Sequence, residues 1–426
     1  MISQMRGAVI PMLDPNPSNP MAEPALRRRL GLVQVVLYGL GVTIGAGIYA
    51  LVGSTITLAG VHAPMAFVVA ALIMVFPAAC FAELTGRFPF AAAEARFVRE
   101  GFGSRALFVA VGLGVALVGV VSAAAIAHGA VSYLSRVVDL PAPLLLSFVI
   151  IGCAGVASLG IQSSVGIAGA LTVIEIGGLL LIVGGGLWAG RDIVGQAALA
   201  VPTTLSLPVW AGIVAASLLA FFAFIGFEDI DSIAEETTNP QKTLARGIFL
   251  TLLITTVLYI GVVLTVLATN DLSEIASHPS ALTLTFSRNT GLPEIMLVVI
   301  ATVATLNGVI VQILMAGRVI FGMARDRELP VALARLSPST STPVRATALC
   351  AGLALAMALL LPIVDLAELT SAVTLGVFSL VCLALARIHA RGDPAPEGTF
   401  LVYRWVPATG AVACLGLLAA GLLSGI

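Results

Sequence analysis

Residues 221–240 read FFAFIGFEDIDSIAEETTNP, an apolar run that gives way at Gly226 to Glu228, Asp229 and Asp231 and closes on Asn239-Pro240. Carboxylates directly after Phe221, Phe222, Phe224 and Phe227 stand where a membrane helix would keep apolar side chains. An ionisable group inside a bilayer costs several kcal/mol unless it faces water or a partner, so this stretch marks a functional site rather than a filler.

The chain around it is 59% hydrophobic and 10% charged, far below the ~25% charge of soluble domains, which excludes a soluble globule. Its apolar windows exceed the ~20 residues a membrane helix needs, and they lack the alternation of a membrane barrel. The expectation is an all-α integral membrane protein. Cys80, Cys153, Cys350, Cys382 and Cys414 all lie in apolar runs without a shared spacing, so they read as packing residues, neither a disulfide framework nor a metal site. HExxH and GxSxG are absent and His62, His128, His278 and His389 are scattered, which leaves an intramembrane enzyme without a nucleophile or a metal. No cofactor, metal or nucleic-acid partner is expected. The proline-bearing residues 1–29 read as a disordered cytoplasmic tail instead of a cleavable signal peptide.

Eleven spans are expected, at 32–59, 63–85, 97–133, 142–160, 165–189, 208–233, 244–269, 292–324, 344–363, 366–387 and 403–424. With the N-terminus in the cytoplasm, only Arg136, Arg191 and Arg288 of the 21 Lys and Arg residues fall outside. That asymmetry follows the positive-inside rule, and an invented or missed early span would scramble it. The outer connection after residue 269 is expected to carry a short surface helix capped by Ser273. The inner connection ARDRELPVALARLSPSTSTP (324–343) reads as an amphipathic segment.

Gly39, Gly41, Gly45 and Gly47 crowd the first span, which signals either a close helix crossing or an opening. Ile225-Gly226 interrupts the sixth. Spans one and six each begin a set of five helices, and paired interruptions in corresponding helices point to a binding site between two repeats at mid-membrane. Free N–H groups at a half-helix start near Ala46, Gly47 and Ile48 attract a carboxylate, and unpaired carbonyls near residues 221–225 accept from an ammonium. A ligand with both groups is an α-amino acid.

Four stretches, GVTIGAGIY (41–49), FAELTGRFPFAAAEARFVREGFG (81–103), FFAFIGFEDIDSIAEETTNPQKTLARGI (221–248) and RVIFGMARDRELPVALARLSPSTSTP (318–343), occur in the order seen in amino acid/polyamine/organocation permeases. The chain resembles that superfamily over about residues 30–391, nearest to bacterial members related to cationic amino acid transporters. The resemblance implies a five-plus-five inverted repeat of the leucine-transporter kind, with repeats at 30–190 and 207–390 and an additional helix at 400–426. It implies a secondary active transporter in the cytoplasmic membrane that moves an amino acid by alternating access, a monomer or homodimer coupled to protons. An amino acid or polyamine exchanger, a sodium-coupled symporter and a membrane sensor stay open.

By motif matching, Thr43, Ile44, Gly45, Ala46 and Gly47 would line the carboxylate side, and Ala223, Phe224 and Ile225 the amino side. Phe222 matches an aromatic gate. Glu175 takes the place where proton-coupled relatives carry a lysine, and three readings of it are open: a titrating carboxyl, a permanently protonated one, or a cation ligand with Thr302 and Thr305. Glu228 reads as a second proton-coupling residue and a brace for the break. Val120, Ala123, Ala124, Asn307 and Ser371 are small or neutral and suggest a neutral substrate, while Glu228 and Asp231 keep a cationic one open. Glu235 or Glu236 is a candidate gate partner of Arg87 or Arg318.

Overall fold

The structure, a computed structural model, describes residues 29–44, 47–89, 94–159, 165–204, 206–278 and 280–423. Residues 1–28 of the expected tail, together with Gly45 and Ala46, lie outside this set. The described chain forms α1 (Leu32–Ile44), α2 (Gly47–Ala59), α3 (Ala63–Arg87), α4 (Glu94–Phe102), α5 (Arg105–Leu134), α6 (Ala142–Ser158), α7 (Val165–Trp188) and α8 (Ile193–Ala200). It continues with α9 (Leu207–Phe224), a 3-10 segment (Phe227–Glu236), α10 (Pro240–Thr269), α11 (Leu272–Ser277) and α12 (Ala281–Thr290). Last come α13 (Glu294–Arg325), α14 (Val344–Leu360), α15 (Ile363–Arg391) and α16 (Trp405–Leu423).

Eight stretches among these residues are long and apolar enough to cross a membrane. One of them, Gly47–Arg87, has 41 residues. As one helix it would be about 60 Å long, twice the hydrocarbon thickness. It folds back instead at Gly60, whose φ of 56° admits glycine at no steric cost and starts a 3-10 turn before α3. The eight stretches and the shorter α1, α6 and α14 account for the eleven expected spans, with α1 and α2 sharing the first and α9 and the 3-10 segment sharing the sixth.

Polar contacts between connections test the alternation of these spans. Thr342 Oγ1 donates to Ser158 O at 2.6 Å, Arg105 Nε lies 2.8 Å from Glu328 Oε1, and Arg29 N and Leu30 N donate to Glu236 O. All of these belong to the arginine-rich side. On the opposite side, His62 Nδ1 is 3.0 Å from Ala200 O and Arg136 Nη1 is 3.1 Å from Glu294 Oε2. Each contact joins connections that an eleven-span count puts on the same side.

The helices sort into two groups by packing. The two halves of the first span, α3, the sixth span and α10 touch one another, through α1 on α10, α2 on α9 and α3 on α9 and α10. In the other group α5, α6, α13 and α14 pack pairwise. Between them, α7 leans on α1, α10 and α13, and α15 on α3, α5, α9 and α16.

Two expectations need correction, and a third gains detail. The third span begins at Arg105 and not near 97, because Gly103 (φ 67°) ends α4 and Ser104 caps α5 by accepting from Leu107 N at 3.3 Å. The outer connection holds two helices, and the cap of α11 is Asp271, not Ser273, in a reciprocal capping box with Glu274. The inner connection after α13 is mostly turn, with one 3-10 turn at Val331–Ala334, since Pro330, Pro338 and Pro343 interrupt any longer helix.

Candidate functional site

The sixth span breaks at the glycine that marks it in the sequence. α9 ends at Phe224, Ile225 is extended (φ −63°, ψ 136°), and Gly226 takes φ 123° before the chain tightens into the 3-10 segment. Only glycine adopts that φ without strain. Close approach fixes it a second time, because a Cβ on Gly226 would lie 3.0 Å from the Val42 carbonyl carbon and oxygen. At the start of α2, a Cβ on Gly47 would run into Ala223, with the Ala223 side chain 2.6 Å away. The first and sixth spans thus meet backbone to backbone at this level. The close-crossing reading is met at Gly47.

A broken helix leaves carbonyls without an intrahelical donor. Here one side chain answers for both spans. The Tyr259 hydroxyl on α10 lies 2.9 Å from Thr43 O and 3.0 Å from Ala223 O. A single phenolic proton shared between two carbonyls leaves lone pairs on both for a further donor. The Tyr259 ring is fixed by Phe224 at 5.4 Å and Phe67 at 5.9 Å, so Phe224 is packed between α3 and α10. Thr43 is buried and its Oγ1 has no hydrogen-bond partner among the described residues, an open polar atom beside the same carbonyl. Ile44, Phe222 and Ile225 are buried at this level, while Gly45 and Ala46 lie outside the described residues.

Glu175 stands elsewhere. It is fully buried on α7, where Asn307 Nδ2 of α13 donates to its Oε1 at 3.1 Å, and its Oε2 has no partner among the described residues. The Tyr49 hydroxyl donates to Glu175 O at 2.7 Å, and Tyr133 donates to Tyr49 O at 2.6 Å. Tyr49 also lines a cavity of about 290 Å³ on the side away from the arginines, with Ser132, His278 and Ser280 in its wall. Thr305, offered as a co-ligand, spends its hydroxyl on Ala301 O and Thr302 O of its own helix.

Glu228 reaches back so that its Oε2 accepts from Gly226 N at 2.9 Å, which braces the break. It lines a cavity of about 30 Å³ with Glu94, Ile225, Asp229, Asp231 and Gln312. That space adjoins a cavity of about 220 Å³ through Met315 and Val319, and Arg96, Arg318 and Arg325 line the larger one. Glu175 and Glu228 therefore do not form one cluster. Their neighbours on α13, Asn307 and Gln312, stand five residues apart, about 7.5 Å of helix rise.

Sequence reading missed Tyr259, Glu94 and Glu83. Tyr259 left one trace in the sequence, a phenol midway along an apolar span, but nothing there told its partners. Glu83 is fully buried on α3, where Arg87 Nε (2.8 Å) and His389 Nε2 (2.7 Å) meet its Oε1 and Val402 N donates to its Oε2 (2.8 Å). Arg87 also donates to Asp393 O, so its partners differ from the expected Glu235 or Glu236. Ser371, a proposed pocket residue, donates to Leu218 O at 2.8 Å. His128 Nε2 lies 2.9 Å from Ala358 O.

A sixth span broken at Gly226 and joined to the first span by a shared hydroxyl, within an all-helical bundle, agrees with what sequence comparison finds. The amino acid permease family matches residues 30–424. The chain belongs to this family. Among its relatives, the branched-chain amino acid permease BcaP of Bacillus subtilis is 28% identical over 88% of this chain and 84% of its own length. Cationic amino acid transporter 4, vacuolar, of Arabidopsis thaliana is 29% identical over 90% of this permease, which spans 64% of that longer protein. The methylthioribose transporter of Bacillus subtilis is 26% identical over 89% of this chain and 84% of its own.

Proposed function

We propose that the permease is a secondary active transporter that carries an amino acid through the cytoplasmic membrane by alternating access, with its N-terminus in the cytoplasm. The observation that carries this reading is the junction of Thr43 and Ala223 on the Tyr259 hydroxyl. An α-ammonium has donors for the carbonyl lone pairs left over there, and an opening of the first span ahead of Gly47, as expected from the sequence, would present N–H groups and a dipole to the carboxylate. The names of the relatives, for branched-chain and cationic amino acids, support an amino acid as the substrate. The two packed helix groups supply the parts for rocking: the spans that hold the break move against α5, α6, α13 and α14.

Glu175 is the proposed coupling residue. Its buried Oε2 has no partner among the described residues and suits a proton, and Tyr49, whose hydroxyl donates to the Glu175 backbone carbonyl, also lines the cavity on the side away from the arginines. The same free oxygen keeps sodium as the alternative. Uptake of labelled amino acids into proteoliposomes, under an imposed pH gradient and separately under a sodium gradient, decides between them. The pH gradient is expected to drive accumulation at least tenfold above a gradient-free control, and Glu175→Gln should remove that dependence while exchange of substrate continues. An unchanged response to pH in the variant would sink the role given to Glu175.

A further inference from the structure

Glu175 is held from two sides, and the two holds come from different helix groups. Asn307 of α13 donates to its Oε1 at 3.1 Å, while the Tyr49 hydroxyl of α2 donates to its backbone carbonyl at 2.7 Å. Tyr49 and Glu175 are 126 residues apart in sequence, and both are buried. A helix carbonyl already accepts from the N–H four residues on, so the phenol takes its second lone pair. It reaches that lone pair because the chain leaves it room. The room is at Gly178, a turn further along α7, where a Cβ would lie 2.5 Å from the Tyr49 hydroxyl oxygen. The main chain of Tyr49 is fixed as well, by the bond from Tyr133 of α5 to its carbonyl. The phenol is therefore a strut that enters a notch in α7 from a pinned position on α2.

α2 packs on α9 in the group that holds the break, whereas α13 packs with α5, α6 and α14. Rocking of one group against the other changes the separation of Tyr49 and Asn307, and Glu175 lies between them. Hydrogen bonds of these lengths are lost on a stretch of about 1 Å, so both holds cannot survive the movement. They act on different parts of the residue. Tyr49 grips the main chain and Asn307 the carboxyl. α7 also leans on α1 and α10, and the bond to Tyr49 is the shorter of the two, so the main chain goes with α2 and the carboxyl leaves its amide donor. A carboxyl with and without that donor holds a proton with different strength, which is the condition for coupling. Among the described residues no charged side chain of α1, α10, α12 or α13 acts on this carboxyl, and the ionisable groups near it are the phenols of Tyr49 and Tyr259. The change of partner thus falls on the amide.

We propose that Tyr49 is a positioning residue for the coupling carboxyl: by tying the main chain of Glu175 to α2, it parts the carboxyl from Asn307 when the substrate-holding group moves, and so links proton binding to that movement. This rests on Glu175 being the coupling residue and on the rocking of the two groups.

Proteoliposomes of the whole permease, given the panel of labelled amino acids, test it when both exchange without a gradient and accumulation under a pH gradient are read. Tyr49→Phe keeps the ring and removes the tether. In it the ratio of pH-driven accumulation to exchange is expected to fall at least about fivefold, the size of an ordinary coupling between two sites. The half-saturating concentration for exchange, which in the parent should change at least about fivefold between pH 5 and 8, should change less than about twofold in the variant. Gly178→Ala reaches the same bond by filling the notch and should act alike, which keeps the test decisive where one variant fails to fold. A merely structural role would lower exchange and accumulation together and leave the pH profile in place, and that result overturns the proposal. Accumulation that stays pH-driven in Tyr49→Phe while Glu175→Gln abolishes it overturns the role of Tyr49 and leaves the coupling role of Glu175 standing. Accumulation that stays pH-driven in Glu175→Gln removes that role, and the positioning role with it. A parent permease driven by sodium and indifferent to pH overturns both.

Discussion

Gly226 shows how much one position can settle. Its φ of 123° and its approach to Val42 both exclude a side chain, so Gly226→Ala should cost about 1–3 kcal/mol in thermal unfolding of the purified permease, with a loss of substrate affinity as the break shifts. A variant as stable and as active as the parent would mean that the break does not need this geometry. The position was legible in the sequence because a glycine between aromatic residues and carboxylates has no other easy reading. Glu94, Glu83 and Tyr259 were not legible in the same way. Each acts on groups far along the chain, Glu83 on His389 306 residues away and Tyr259 on Thr43 216 away, and such pairings arise only from packing. Sequence spacing reports neighbours along one helix, and these residues work between helices.

At the scale of elements, composition placed the spans well, since an apolar run of the right length has few alternatives in a bilayer. What it blurred were the short helices at the surface, whose limits depend on caps. α4 merged with the third span because Gly103-Ser104 is a two-residue signal inside a longer apolar pattern. α11 is a measurable case of capping. Hydrogen bonds from Arg288 hold the exposed Glu274 carboxyl down at about 2, assisted by the backbone N–H of Asp271. A lowered carboxyl contributes stability above its unfolded value of ~4.3 and loses it as pH falls toward the folded one. Amide exchange in 272–277 should therefore stay flat between pH 7 and 5, once corrected for intrinsic rates, and rise between about pH 4 and 2. In Glu274→Gln the acid-induced rise should be absent. A rise of the same size in both would remove the carboxylate from the account.

For the whole molecule, the network at Glu83 joins α3 to α15 and to the connection before α16. α3 carries Glu83 and Arg87, α15 carries His389, and the connection before α16 supplies Val402 N and Asp393 O. Removing one member of a buried ion pair leaves the others without a partner and costs about 3–5 kcal/mol. Glu83→Gln should lower the stability of the folded permease by that order in detergent. Adding Arg87→Met should recover part of the loss, because the stranded guanidinium goes with it. Strictly additive losses would show that the two side chains act independently.

The parallel bridge between Leu30 and Thr237, tightened by Thr238 N donating to Leu30 O at 2.9 Å, ties the leading end of α1 to the trailing end of the 3-10 segment. Two rods lashed together at one end form a pair of tongs. On the proposed function, a substrate held at both midpoints would add a second lashing, and two lashings would turn the tongs into a rigid frame.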